Sequence, residues 1–210
     1  MLLSLAAVFL LLKPNPRRIE RFLTAQRHRT FSYREVAFTR RGATPPGYRA
    51  DHNRVQLGEG RAAFARAVEA VRTWKMFDLG WISVHPAAAP IEPGTTVAVR
   101  CRHFGFWSLH ACRIVYRVDE EGSVVRFGFA YGTLPEHAER GEERFIVEWH
   151  HEDNSVWYEI QAFSRPNHPL ARLFSPLARF LQKRFVRSSQ RAMARAAAAQ
   201  WPGRADRGGR

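Results

Sequence analysis

A chain of 210 residues that is 45% apolar and 12% aromatic can bury one sizeable core, which excludes a chain disordered throughout. Two cysteines, Cys101 and Cys112, are too few for a disulfide framework and read as reduced, partly buried thiols of a cytosolic protein. The net charge of +14 lies at the ends: residues 1–50 carry ten Lys/Arg against Glu20 and Glu35, residues 51–163 twelve against sixteen acids, and residues 164–210 eleven against Asp206 alone.

Met1 to Leu12 is apolar apart from Ser4. It falls short of the roughly 20 residues needed to span a bilayer, and it lacks the basic start and small-residue cleavage site of a secretory signal. Three readings stand open: a helical turn packed on the domain, an interfacial anchor with Lys13, Arg17 and Arg18 at the headgroups, or a start set too early. Residues 13–200 read as a single domain and residues 201–210 as a disordered basic tail.

Pro16 to Arg29 reads as a short basic helix with Ile19, Phe22, Leu23 and Gln26 on one face. The Pro- and Gly-rich stretch to Gly47 is a loop, and Asp51 to Leu57 a first strand. After Gly58–Glu59–Gly60, the spacing of Phe64, Ala67, Val68, Val71 and Trp74 predicts a helix with one buried face. From Met76 the period changes to two. Strands are predicted over Gly80–Val84, Thr95–Phe104, Trp107–Val118, Val124–Tyr131, Arg144–His150 and Ser155–Phe163, with turns at Gly105–Phe106, Asp119–Gly122 and Glu152–Asn154. On the third of these, Cys112, Ile114, Tyr116 and Val118 read as one apolar face. Leu170 to Ser188 follows a helical stripe, with Pro176 either kinking it or starting a new helix capped by Ser175, and Ala194 to Ala199 continues with high helix propensity.

This order predicts an α+β domain: an antiparallel β-meander curved around a long C-terminal α-helix, the helix-grip arrangement. Such a grip leaves a cavity between helix and sheet. Trp81, Trp107, Phe127, Phe129, Tyr131, Trp149 and Tyr158 are candidates to line it, against the plainer expectation that each packs the core.

The block Gly128–Phe129–Ala130–Tyr131–Gly132–Thr133–Leu134–Pro135–Glu136–His137, followed by Gly141–Glu142–Glu143–Arg144–Phe145, resembles the signature of a bacterial and plant family catalogued only as a domain of unknown function, number nineteen-ninety. Phe31–Ser32–Tyr33, Gly80–Trp81, Cys112–Arg113–Ile114–Val115–Tyr116 and Phe163–Ser164–Arg165–Pro166 are similar to it as well. The resemblance covers residues 13 to 195 or so. It implies a fold similar to the superfamily of pollen allergens and lipid-transfer START domains, and it implies no activity.

Gly132 to Arg144 reads as a loop of about twelve residues, long for a meander. Its polar residues, with Arg113, could hold a ligand's head group at the mouth of an apolar cavity. Glu142 and Glu143 are adjacent, so on a strand they face apart and make a poor acid/base pair; the inward one would pair with Arg144 or Arg113. Nine histidines invite a metal reading, and His103 and His110 could approach across a hairpin, but no Cys-x-x-Cys or His-x-x-x-His spacing occurs. Neither a metal nor a cofactor is expected. No Gly-x-Ser-x-Gly or phosphate loop is present.

The leading expectation is therefore binding of a hydrophobic or amphipathic small molecule by Trp81, Arg113, Phe129, Tyr131, His137, Glu143, Arg144 and Trp149. One alternative is an enzyme of cyclase, hydrolase or isomerase type, with His137 or a buried Glu as base. Another is an adaptor that uses the basic ends on nucleic acid or on an anionic membrane surface, peripheral to the membrane in the latter case. Nucleic acid is disfavoured, because the folded middle of the chain is mildly acidic.

Overall fold

The computed structural model describes residues 9–167 and 175–198. In chain order these form β1 (Phe9–Leu10), α1 (Pro16–Gln26), β2 (Arg49–Glu59), α2 (Gly60–Arg72), β3 (Ile82–His85), β4 (Thr96–His103), β5 (Phe106–Glu120), β6 (Val124–Thr133), β7 (Glu139–His150), β8 (Ser155–Pro166) and α3 (Ser175–Ala198). Every pairing is antiparallel. β3 to β8 form a six-strand meander, and β2 closes the order by pairing with β8. The helix-grip arrangement expected from the sequence is the one observed, with α3 on the concave face.

The two faces of the sheet bury different clusters. Phe127, Phe129, Phe145, Val147, Tyr158 and Ile160 point to the concave side with α2, Trp74, Phe77 and the C-terminal half of α3. The Tyr158 hydroxyl shares a 2.9 Å hydrogen bond with Ser189 Oγ, which pins α3 to β8. On the convex side, Ile19 of α1 packs with Leu10, Ala98 and Leu109. The helix starts as its sequence dictates: Asn15 Oδ1 accepts from Arg18 N at 2.9 Å, and Pro16 takes the first turn. Phe9 and Leu10 form a strand against Ser108 and Trp107 of β5, so this end of the apolar segment is part of the sheet and not a helical turn. Residues 1–8, Leu170 to Phe174, Ala199 and the 201–210 tail lie outside the described residues.

Two stretches depart from the pattern their sequence predicts. Cys112, Ile114, Tyr116 and Val118 do not share a face. A β-bulge between Ile114 and Tyr116 shifts the register by one residue, sending Cys112 and Ile114 to the concave core and Tyr116 and Val118 to the convex one. The long loop from Gly132 to Arg144 is mostly strand. β6 runs to Thr133 and β7 starts at Glu139, where Glu139, Arg140 and Gly141 pair with Pro166, Arg165 and Ser164. Backbone pairing with β8 supports a Glu/Arg/Gly run that shows no apolar alternation.

The segment 31–41 is tied over the convex side of this region. Ser32 N donates to Thr133 O at 3.0 Å, and Thr133 Oγ1 accepts from Gly141 N at 3.0 Å. Gly132 lies directly beneath Tyr33: a Cβ there would stand 2.1 Å from the Tyr33 phenol oxygen and 2.9 Å from Phe31 Cδ1. Gly132→Ala is expected to displace the ring and cost about 2 kcal/mol, as overpacking does. Urea unfolding measures it, and a loss below roughly 0.5 kcal/mol would mean that the ring can shift freely.

Candidate functional site

α2, Trp74 and Phe77 fill one half of the concave face. Over the other half, the N-terminal part of α3 bridges a cavity of about 980 Å3. Its apolar wall comes from Phe77, Ile82, Val99, Ile160, Phe185 and Val186. The Phe77 ring meets Tyr131, Phe145 and Phe185 at 6.0, 5.4 and 5.1 Å, so it separates the filled core from the open space. Phe104, Phe106 and Leu177 also line the cavity and are exposed, and α3 adds the cations Arg179, Lys183 and Arg187 to its wall.

Polar groups converge on one side of this apolar space. The Tyr131 hydroxyl donates to Glu143 Oε2 at 2.8 Å. Removal from water pushes the Glu143 carboxyl up to about 7, with the Asp51 and Glu139 carboxylates adding to the effect against the Tyr131 bond, which lowers it. His137 Nδ1 accepts from Glu139 N at 3.0 Å, so the neutral ring carries its proton on Nε2. Burial pulls this imidazole down to about 4. The His110 ring centroid lies 4.7 Å from that of His137, and burial followed by its His137 and His103 neighbours holds it neutral, well below the ordinary histidine range. The site thus offers a carboxyl poised near neutrality, a phenol and neutral imidazoles in a space lined largely by hydrocarbon.

Four of the eight residues expected from the sequence are on this wall: Trp81, Tyr131, His137 and Glu143. Trp81 is held by the Arg184 guanidinium, 4.3 Å above its ring. The other four lie elsewhere. Arg113 points to the convex side, where it donates to the carbonyls of Gln26, Arg27 and Arg29 at 2.8–2.9 Å and holds the end of α1. Phe129 is fully buried against Trp74, with ring centroids 4.8 Å apart. Arg144 pairs with Glu159 at 2.6 Å on the convex face. Trp149 packs near Phe64 and donates to Asn154 Oδ1 at 2.9 Å, at the far end of the sheet. Of the wider aromatic set, Trp107 lies on the convex side under Lys13, Arg100 and Arg102, while Phe127 and Tyr158 are core.

Glu142 and Glu143 face apart as alternation requires, but the inward carboxylate is partnered by Tyr131 and not by an arginine. Sequence reasoning missed Asp51 and Asn53 of β2, which reach the cavity because β2 lies beside β8. It also missed Cys101. Among the described residues, Cys101, His103 and His110 form one group able to hold a metal ion, their donor atoms all lying within 4.8 Å of one another. Cys101 and Cys112 are both free and buried.

Residues 32–192 match the family described as Domain of unknown function (DUF1990). This chain belongs to that family. The DUF1990 chain is 38% identical over 200 residues to a UPF0548 protein of Deinococcus radiodurans, covering 90% of this chain and 99% of that protein. It is 34% identical over 206 residues to a UPF0548 protein of Dictyostelium discoideum, covering 90% and 95%. In shape it is similar to a Thalictrum flavum norcoclaurine synthase point mutant in complex with a transition-state analogue, with a TM-score of 0.46, 11% identity, and coverage of 74% and 97%. The signature block of this DUF1990 chain has a physical reading: Gly132 makes room for Tyr33, Thr133 receives Ser32 and Gly141, and Tyr131 meets Glu143 in the cavity. No helix among its described residues is long and apolar enough to cross a membrane.

Proposed function

We propose that this protein binds a hydrophobic or amphipathic small molecule between the sheet and α3. The observation that carries the reading is an apolar cavity of about 980 Å3 with a small convergent polar set at Tyr131, Glu143, His137 and His110. Small-molecule sites have this character, apolar walls of roughly 300–1,000 Å3 with a few placed polar groups that orient the ligand. Tyr131 and the Glu143 carboxyl suit a hydroxyl or carbonyl on the ligand. Arg179, Lys183 and Arg187 favour an amphipath with an acidic end over a wholly neutral one.

Native mass spectrometry of the freshly purified protein, followed by organic extraction, tests the reading. A discrete added mass released as an apolar compound is the expected result. Ala162 faces the cavity from β8, and Ala162→Trp is expected to abolish the added mass while the protein still folds. A wild-type protein that carries nothing, and whose melting temperature is unmoved by fatty acids or isoprenoids, would remove the reading.

A second reading has its own observation. A carboxyl held near 7 inside an apolar cavity is placed to move a proton on a bound substrate, because a base works best when its pKa lies near the ambient pH. Under this reading Glu143 is the base and Tyr131 the group that holds it.

A further inference from the structure

We infer that Cys101, His103 and His110 form a binding site for a zinc-class divalent transition ion, with its fourth coordination position open to the cavity. The inference does not depend on the apolar-ligand reading. Cys101 and His103 are two apart on β4, so both point to the concave face, and Cys101 pairs with Ser108, two residues before His110 on β5. All three candidate ligands line the cavity.

The donor set is one thiol and two imidazoles, within 4.8 Å of one another. Ligands of a tetrahedral zinc ion stand roughly 3.3–3.8 Å apart, given metal bonds of about 2.0–2.3 Å. Convergence by about an ångström closes the site, a shift within the reach of rotation about the histidine side-chain bonds.

Ser108 Oγ lies 3.1 Å from His103 Nε2 and 2.9 Å from His110 Nε2, so one nitrogen of each ring is partnered. The Nδ1 atoms of both rings are buried and have no hydrogen-bond partner among the described residues. His110 is only 9% exposed. The two Nε2 atoms converge on Ser108 Oγ, which also bonds the Cys101 thiol, so an ion held by the three donors takes the place of these Ser108 contacts. Thiolate and imidazole together select zinc, or cobalt in its place, over magnesium and calcium, which take oxygen. On binding, the Cys101 thiol gives up its proton to solvent and each imidazole ligates through an unprotonated nitrogen.

The probe is cobalt(II), added to the full-length reduced protein. One equivalent is expected to give intense tetrahedral bands in the visible and a thiolate-to-cobalt charge-transfer band in the near ultraviolet, both erased by zinc. Cys101→Ser should lose the charge-transfer band, and His110→Gln should weaken binding at least tenfold. Cys112→Ser, which alters the other buried thiol, should change neither. X-ray absorption of the zinc-loaded wild-type protein needs no variant, and should show one sulfur and two imidazole nitrogens. No tetrahedral spectrum at stoichiometric cobalt, a zinc shell without sulfur, or a charge-transfer band that follows Cys112 would each overturn the inference.

Discussion

Glu142→Ala is expected to cost about 4 kcal/mol of folding stability, far more than its place in a charged stretch of sequence suggests. The side chain is 2% exposed. Its Oε2 accepts from the Tyr33 hydroxyl at 2.8 Å and from Ala37 N at 2.8 Å, and its Oε1 accepts from Thr39 N at 3.1 Å and from the Thr39 hydroxyl. The Thr39 hydroxyl in turn shares a 2.7 Å hydrogen bond with Tyr116. One carboxylate therefore anchors segment 31–41 to the convex face of β7. Removing it leaves several buried donors unmet, each worth about 1–3 kcal/mol when no partner or water replaces the acceptor. Urea midpoints with an unchanged denaturant slope measure the loss. A cost below roughly 1 kcal/mol would show that water reaches the site and that the anchor is not structural.

Glu143→Gln should act in the opposite direction, and only above acid pH. The folded carboxyl titrates near 7 against an ordinary value of 4.5. Between these values the folded state keeps a proton that the unfolded chain has already released, so native stability falls as pH rises through the window and stays lower above it. A difference of this size is worth up to roughly 3 kcal/mol at 1.4 kcal/mol per tenfold. Glu143 keeps some contact with the cavity, which reduces the expected gain of Glu143→Gln at pH 8 to about 2 kcal/mol. At pH 4 the variant and wild type should match, since the carboxyl is protonated in both states. His137 works against this trend in the wild type. Its folded value near 4 lies below the ordinary 6.5, so it adds stability as pH rises from 4 to 6.5, and only the difference between variant and wild type isolates Glu143. Unfolding curves at pH 4, 6 and 8 decide it; a gain independent of pH would place the Glu143 carboxyl in ordinary contact with water. If a turnover is found, loss of its rising pH limb near 7 in the same variant assigns the base.

The adjacent pair Glu142 and Glu143 shows how far local pattern reaches. That the two face apart follows from strand geometry alone. Which one enters the cavity, and that the other becomes a buried anchor, depends on segment 31–41 folding back from about a hundred residues away in sequence. Arg113 makes the same point: a cation between apolar residues on a strand resembles a cavity contact until α1 is placed over the convex face to receive it.

Periodicity is a property of neighbours along the chain, and it was enough for the α2 face, the meander from β3 to β8, and the long helix that covers it. It predicts that Phe127, Phe129 and Tyr131 share one side of β6, which they do. It carries no information on what lies across from that side, so it could not distinguish Phe129, buried against Trp74, from Tyr131, which opens onto the cavity. Nor could it show the bulge in β5, where one extra residue turns Tyr116 away from Ile114. The approach of His103 to His110 was readable from the hairpin, but the unmet Nδ1 atoms and the convergence of Cys101 were not, because ligand spacing along a chain does not register donors brought together across strands. Burial and the distances between side chains are set by long-range packing, and packing decided where the protein keeps its open space.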